Sequence, residues 1–171
     1  MAVWQYRGEL IPEFWLIEKH GVLPATLDDY CMTEDMDLDS LEDPTYWLES
    51  HVPVDVLDRV RAILPQANSW SKDALMFGDE KSTDLAIWYH GKEIEMIYFR
   101  WDLRDPDLEV LAQIVRLAKR LGSVIVSGDR GTVVEADLGA VLRDVQASSA
   151  YRFCRDPEGF LRGLSPGSDK G

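Results

Sequence analysis

Between Lys19 and Arg59 the chain has neither lysine nor arginine. The same 39 residues carry eleven carboxylates: Asp28, Asp29, Glu34, Asp35, Asp37, Asp39, Glu42, Asp43, Glu49, Asp55 and Asp58. The whole chain has 31 acids, 18 Lys or Arg and a net charge of −13; without this stretch 20 acids face the same 18 bases. Nearly all the charge asymmetry is therefore local. Such a one-signed field steers a basic partner and repels nucleic acid and anionic lipid. Cysteine is scarce as well. Cys31 and Cys154 lie far apart and form no CxxC pair, which excludes a metal knuckle or a disulfide framework. Apolar runs are short, as at Val124–Val126, and none approaches a membrane span. The first residues lack a basic segment followed by an apolar one, so no secretory signal is expected. These absences together predict a cytoplasmic protein with reduced thiols.

What is present is enough for a core. At 171 residues, 46% of them hydrophobic and six of them tryptophan, the chain reads as one folded domain rather than a disordered acidic tail. Val3 to Arg7 and Phe14 to Glu18 read as short strands separated by Gly8 and Pro12. Thr26 has the character of an N-cap for a short helix from about Leu27, with Asp28 and Asp29 in its first turn. The run 34–44 reads as a solvated loop, or one helical turn, held by Met36, Leu38 and Leu41. Asp43-Pro44 starts a short helix anchored by Tyr46 and Trp47, and Pro53 opens another carrying Val54, Leu57, Val60 and Leu64.

Leu85 to Tyr89 and Glu93 to Trp101, joined through His90-Gly91-Lys92, predict a β-hairpin. Ile94, Met96 and Tyr98 fall on one face of its second strand and Glu95, Ile97, Phe99 and Trp101 on the other, which places it centrally in a sheet. Asp105-Pro106 opens the longest helix, with Gly122 as its stop. Val124–Val126 and Val133-Val134 read as strands around the turn Gly128-Asp-Arg-Gly131. Helices follow from Asp137 and from Asp156-Pro157, and residues 165–171 read as a flexible tail. The fold class expected is α+β: one domain over residues 1–164, with a mixed or antiparallel sheet around a central hairpin near 84–101 and helices at its flanks. The acidic segment, 20–58, is part of that domain.

Chemistry-bearing motifs are missing. Asp35, Asp37 and Asp39 have the spacing that opens an EF-hand loop, but Ser40 and Tyr46 stand where that loop needs Gly and Glu. There is no GxSxG and no phosphate loop, and His20, His51 and His90 are scattered. No catalytic residue, metal or cofactor is expected, and the chain is not read as an enzyme. The acidic run has two readings. One is a solvated, solubilising face. The other is an interface, in which Asp28, Asp29, Glu34, Asp35, Asp37, Asp39, Glu42 and Asp43 form a charged rim with Tyr46 and Trp47 as aromatic anchors. Of the six tryptophans, Trp47 is the one expected to be exposed, and Trp88 and Trp101 are expected to pack inside.

The C-terminal half carries a resemblance. A β-hairpin leads through Phe99-Arg-Trp-Asp-Leu-Arg-Asp-Pro-Asp-Leu108 into the long helix, and Gly128-Asp-Arg-Gly131 and Ser148-Ser-Ala-Tyr-Arg-Phe-Cys-Arg-Asp-Pro-Glu-Gly-Phe-Leu161 follow. Over roughly residues 84–164 this resembles bacterial immunity proteins encoded beside polymorphic toxins, including those of type VI secretion systems, and most nearly the Immunity protein 52 type. The resemblance implies a protein that binds and neutralises a cognate toxin, a nuclease effector. It carries no interface residue across position by position. The acidic run agrees with it independently, because a nuclease presents basic residues to phosphates and an inhibitor can meet them with carboxylates. Two other classes share the charge or the silence of the motifs: an acidic DNA-mimic or anti-restriction protein, and an enzyme whose site only folding assembles. The oligomeric state is left open.

Overall fold

The computed structural model describes residues 3–27, 46–48, 50 and 52–164. The helix expected beyond Leu27, the 34–44 loop, the Asp43-Pro44 helix start and the 165–171 tail lie outside these residues.

In chain order the elements are β1 (Gln5–Pro12), α1 (Glu13–His20), α2 (Val56–Ile63), β2 (Gln66–Ala67), β3 (Ala74–Gly78), β4 (Asp84–His90), β5 (Glu93–Asp102) and α3 (Leu108–Arg120). β6 (Ser123–Ser127), β7 (Val133–Val134), α4 (Leu138–Ala147), α5 (Ser149–Arg155) and α6 (Pro157–Leu164) complete them. The strands form one sheet in the order β2-β3-β4-β5-β1-β6-β7, every neighbouring pair antiparallel. This is the expected α+β architecture, with the β4–β5 hairpin at its heart and β5 in the middle of the sheet. No described helix is long and apolar enough to cross a membrane.

β1 accounts for the first departure from the sequence reading. It is hydrogen-bonded to β5 along one edge and to β6 along the other, so no edge remains for Phe14–Glu18 to pair as a strand. Those residues are helical instead. Glu13 lies in the first turn, Lys19 and His20 in the last, and Gly21 closes the helix at φ 78° with its N–H on the Ile17 carbonyl. Gly8, read as a break between strands, lies inside β1. A Cβ there would meet the Phe99 ring at 2.7 Å and Ile125 Cγ2 at 2.8 Å, so the absent side chain lets three strands close up.

The main core lies between the sheet and the helices. Tyr6, Leu10, Ile97, Phe99, Trp101 and Ile125 meet Leu111, Ile114 and Val141 there. α3 packs on β6 and touches α2 and α4. A smaller cluster of Ala74, Met76, Ala86 and Tyr98, bordered by Trp88 and Met96, occupies the opposite face of β3–β5. Ile94 does not join it. Trp88 pairs with Met96 but Tyr89 pairs with Ile94, and this bulge turns Ile94 back toward the main core.

Helix starts shift by a few residues. α3 is capped by Asp107, which accepts from Glu109 N and Val110 N at 2.9 and 3.1 Å, rather than opening at Asp105-Pro106. Leu108 is consequently exposed and Ile114 takes the core position. α2 begins after Asp55, so Val54 is fully exposed and Val56 and Val60 face inward. The sequence reading lacked α5, because only Ser148, which caps it, separates it from α4.

Candidate partner-binding surface

The acidic stretch is framed by two attachments to the folded chain. On its N-terminal side Thr26 forms an isolated bridge with Thr132, Leu27 N donates to Gly131 O at 2.9 Å, and Val133 N donates to Ala25 O at 2.9 Å. Backbone hydrogen bonds thus hold residues 25–27 to the β6–β7 turn. On the C-terminal side the described residues resume at Tyr46 and Trp47. The Tyr46 hydroxyl donates to Glu9 Oε1 in the middle of β1, and its ring meets Trp15 edge-on at 5.2 Å. Burial, and then the carboxylate of Glu9, push the Tyr46 phenol well above its ordinary pKa. Ser50 fastens the turn behind it, with Oγ on Tyr46 O at 2.7 Å and N on Trp47 O at 3.1 Å.

The two aromatic anchors are therefore not where the sequence reading puts them. Tyr46 is 7% and Trp47 3% exposed. Both side chains are spent on the protein's own core, and the exposed tryptophan is Trp70, at 72%. Burying a ring as large as Trp47 favours the fold more than leaving it on a rim, and Glu9 and Trp15 give its neighbour Tyr46 a site nothing local in the sequence announces.

Asp28, Asp29, Glu34, Asp35, Asp37, Asp39, Glu42 and Asp43 lie outside the described residues, as does Glu49. The other two acids of the run are engaged at home. Asp55 faces Arg59 at 2.7 Å and Arg120 at 3.7 Å, which hold its carboxyl below the usual aspartate range, the hydrogen bond from Arg59 contributing most. Asp58 meets Arg61 at 3.1 Å on the surface of α2.

Two further polar networks come from folding alone. In one, Tyr6 donates to Asp144 Oδ2 at 2.8 Å, and Arg130 reaches Asp144 Oδ1 from the β6–β7 turn. Asp129 beside it accepts from Ser127 Oγ at 2.8 Å, Ser149 Oγ at 2.8 Å and Ser149 N at 3.1 Å. Burial raises the Asp144 carboxyl, against Tyr6 and Arg130. Burial also opposes ionisation of Asp129, but the hydrogen bonds from Ser149 and Ser127 win and its carboxyl is lowered. Gly128-Asp-Arg-Gly131, read as a plain turn, thus binds α4 and α5 to the sheet. A cavity of about 100 Å³ beside it is lined by Tyr6, Asp129 and Ser149, whose polar groups are already engaged, Tyr6 with Asp144 and Ser149 with Asp129.

In the other network, Arg100 pairs with buried Asp84 through Nε–Oδ1 at 2.7 Å and Nη2–Oδ2 at 2.5 Å, across the β4–β5 ladder. Arg104 grips Asp102 with Nη2–Oδ2 at 2.6 Å and lies over the Trp4 ring at 4.1 Å. Both networks join distant parts of the chain and read as structural. Among the described residues no group of three or more His, Cys, Asp or Glu is placed to hold a metal ion.

No protein-family model, curated protein or solved structure matches the chain.

Proposed function

We propose that the chain is a cytoplasmic immunity protein that binds and neutralises a cognate antibacterial toxin, a basic nuclease effector, by stoichiometric association. The observation that carries the proposal is residues 28–45: eight carboxylates and no basic residue, framed by the backbone hydrogen bonds of Ala25 and Leu27 on one side and buried Tyr46 and Trp47 on the other. A solvated face needs only charge. Here both flanks of the charge are tied to the sheet, which lowers the ordering cost of presenting it to a partner. The resemblance of residues 84–164 to immunity proteins supports the same reading. In it Asp28, Asp29, Glu34, Asp35, Asp37, Asp39, Glu42 and Asp43 meet the basic nuclease surface, and Tyr46 and Trp47 anchor the segment to its own domain rather than to the partner.

The test is capture from the source bacterium on the tagged full chain, followed by assay of the captured protein. The expected result is one basic protein, eluted by high salt, whose nuclease activity the chain titrates to zero at equimolar ratio. Reversing Asp35, Asp37 and Asp39 to Lys should slow association at least about tenfold and flatten its salt dependence. A collection of host DNA-binding proteins in the eluate would replace this reading with a DNA mimic. A captured toxin that binds the reversed variant unchanged would preserve immunity and remove the acidic segment from the interface.

A further inference from the structure

We infer that a cleft beneath Trp70 receives a lysine or arginine side chain of the partner, an inference that rests on the partner being basic, as proposed above. The cleft lies at the β3 end of the sheet and has a volume of about 210 Å³. Trp70 and Met76 give it apolar lining on the outer face of β3, and Asp79 and Glu80 add carboxylates; Phe77, next in the strand, turns its ring into the main core. Trp70 is 72% exposed, yet it does not swing free: its ring meets Trp88 edge-to-face at 5.4 Å and 64°. An exposed indole held in place is a preorganised contact surface.

The charged side chains that line it are acidic, and the nearest cation, Arg100, is bonded to Asp84 and also feels Glu80. The lining includes Asp79, Glu80 and Asp84 and no basic side chain. Arg100 neutralises Asp84. Asp79 and Glu80 form no ion pair with any described residue, and the Asp79 carboxylate is oriented by the Lys81 N–H at 2.9 Å. An anion would be repelled here, and a purely apolar side chain would strip water from two carboxylates without replacing it. A long cationic side chain answers each part of the cleft. Its methylene stem lies beside Met76, and its charged head lies against the indole and the carboxylates. The site thus offers the exposed aromatic contact that buried Tyr46 and Trp47 do not supply, on a surface separate in sequence from residues 28–43.

The experiment titrates the full chain with acetyl-Gly-Arg-Gly-amide and with the same peptide carrying citrulline, an uncharged match for arginine. The Met76 methyl and the Trp70 indole N–H resonances report binding, the indole being assigned by its loss in Trp70→Ala. Both signals should move saturably with the arginine peptide, and the citrulline peptide should bind at least about tenfold more weakly. By the methyl signal, Trp70→Ala should weaken the arginine peptide roughly tenfold and Glu80→Gln about threefold. Both side chains are exposed, so the variants keep the fold, which the dispersion of the other methyl signals verifies. Equal binding of the two peptides, or unchanged binding to Trp70→Ala, would overturn the inference. A captured basic partner indifferent to both substitutions would overturn it too while leaving the partner standing. A cleft that takes the peptide when no basic protein is captured would uphold the cleft and remove the partner.

Discussion

Replacing Tyr46 by Phe removes one hydroxyl and keeps the ring that packs on Trp15. That hydroxyl donates to Glu9, whose side chain is among the most buried of the described residues, at 1% exposure. Because the ring stays, its packing is kept, and the loss is that of the hydrogen bond and of what it offsets in the burial of Glu9. Such a bond to a charged acceptor contributes about 1.5–3 kcal/mol, so Tyr46→Phe should cost about 2 kcal/mol. For a chain of this length that corresponds to a fall in Tm of about 4–8 °C. Urea unfolding followed by circular dichroism should show a lower midpoint at unchanged slope, since neither end state changes its compactness. Glu9→Gln supplies the control. An uncharged amide at position 9 reduces the hydrogen bond to about 1 kcal/mol, so Tyr46→Phe should cost roughly half as much in that background. A Tyr46→Phe variant within about 0.5 kcal/mol of the parent would refute the reasoning, as would an identical loss in both backgrounds.

Two other perturbations test the sheet. Gly8→Ala places a methyl group within 2.8 Å of both Phe99 and Ile125, and calorimetry should find it destabilised by about 1–3 kcal/mol; a neutral result would mean the rings can step aside. Asp102→Asn tests acid stability. The hydrogen bond from Arg104 holds the Asp102 carboxyl below its ordinary value, so its contribution is complete above about pH 4 and is lost as pH falls through the lower folded value. The variant should therefore be less stable at neutral pH and lose less stability between about pH 4 and pH 2, and parallel acid limbs for parent and variant would contradict this.

The parts of the fold legible in the sequence are those written locally. Gly91 between two apolar runs spells the β4–β5 hairpin, and the period of Leu111, Val115 and Ala118 spells α3. What was not legible depends on distant partners. Whether Phe14–Glu18 forms a strand or a helix turns on whether β1 has a free edge, and that is decided by residues 97–102 and 123–127. The side on which Ile94 lies follows from a bulge that no single residue marks. Trp47 is buried where exposure was expected because Tyr46, beside it, finds Glu9, 37 residues away. Tyr6 and Asp144 are 138 residues apart, and only folding makes the turn between β6 and β7 their bracket. The candidate site divides the same way: its charge is visible in composition, whereas the two flanks that tie it down are tertiary.

The position of β1 has a consequence for the order in which the molecule can be assembled. β1 is made before the other described strands of its sheet, and both halves of that sheet depend on it, since β2–β5 lie to one side of it and β6–β7 to the other. It has no complete set of partners until Ser127 has been made. Until then one edge of β1 stands open even after β5 has paired with the other, and open edges recruit other chains as readily as their own. The β4–β5 hairpin closes from neighbours in sequence, but the join at β1 spans most of the chain and sets a slow, non-local step. β1 is thus the keystone of the sheet: the first stone cut, the last one seated, and the one whose loss would leave two separate fragments of sheet with raw edges facing each other.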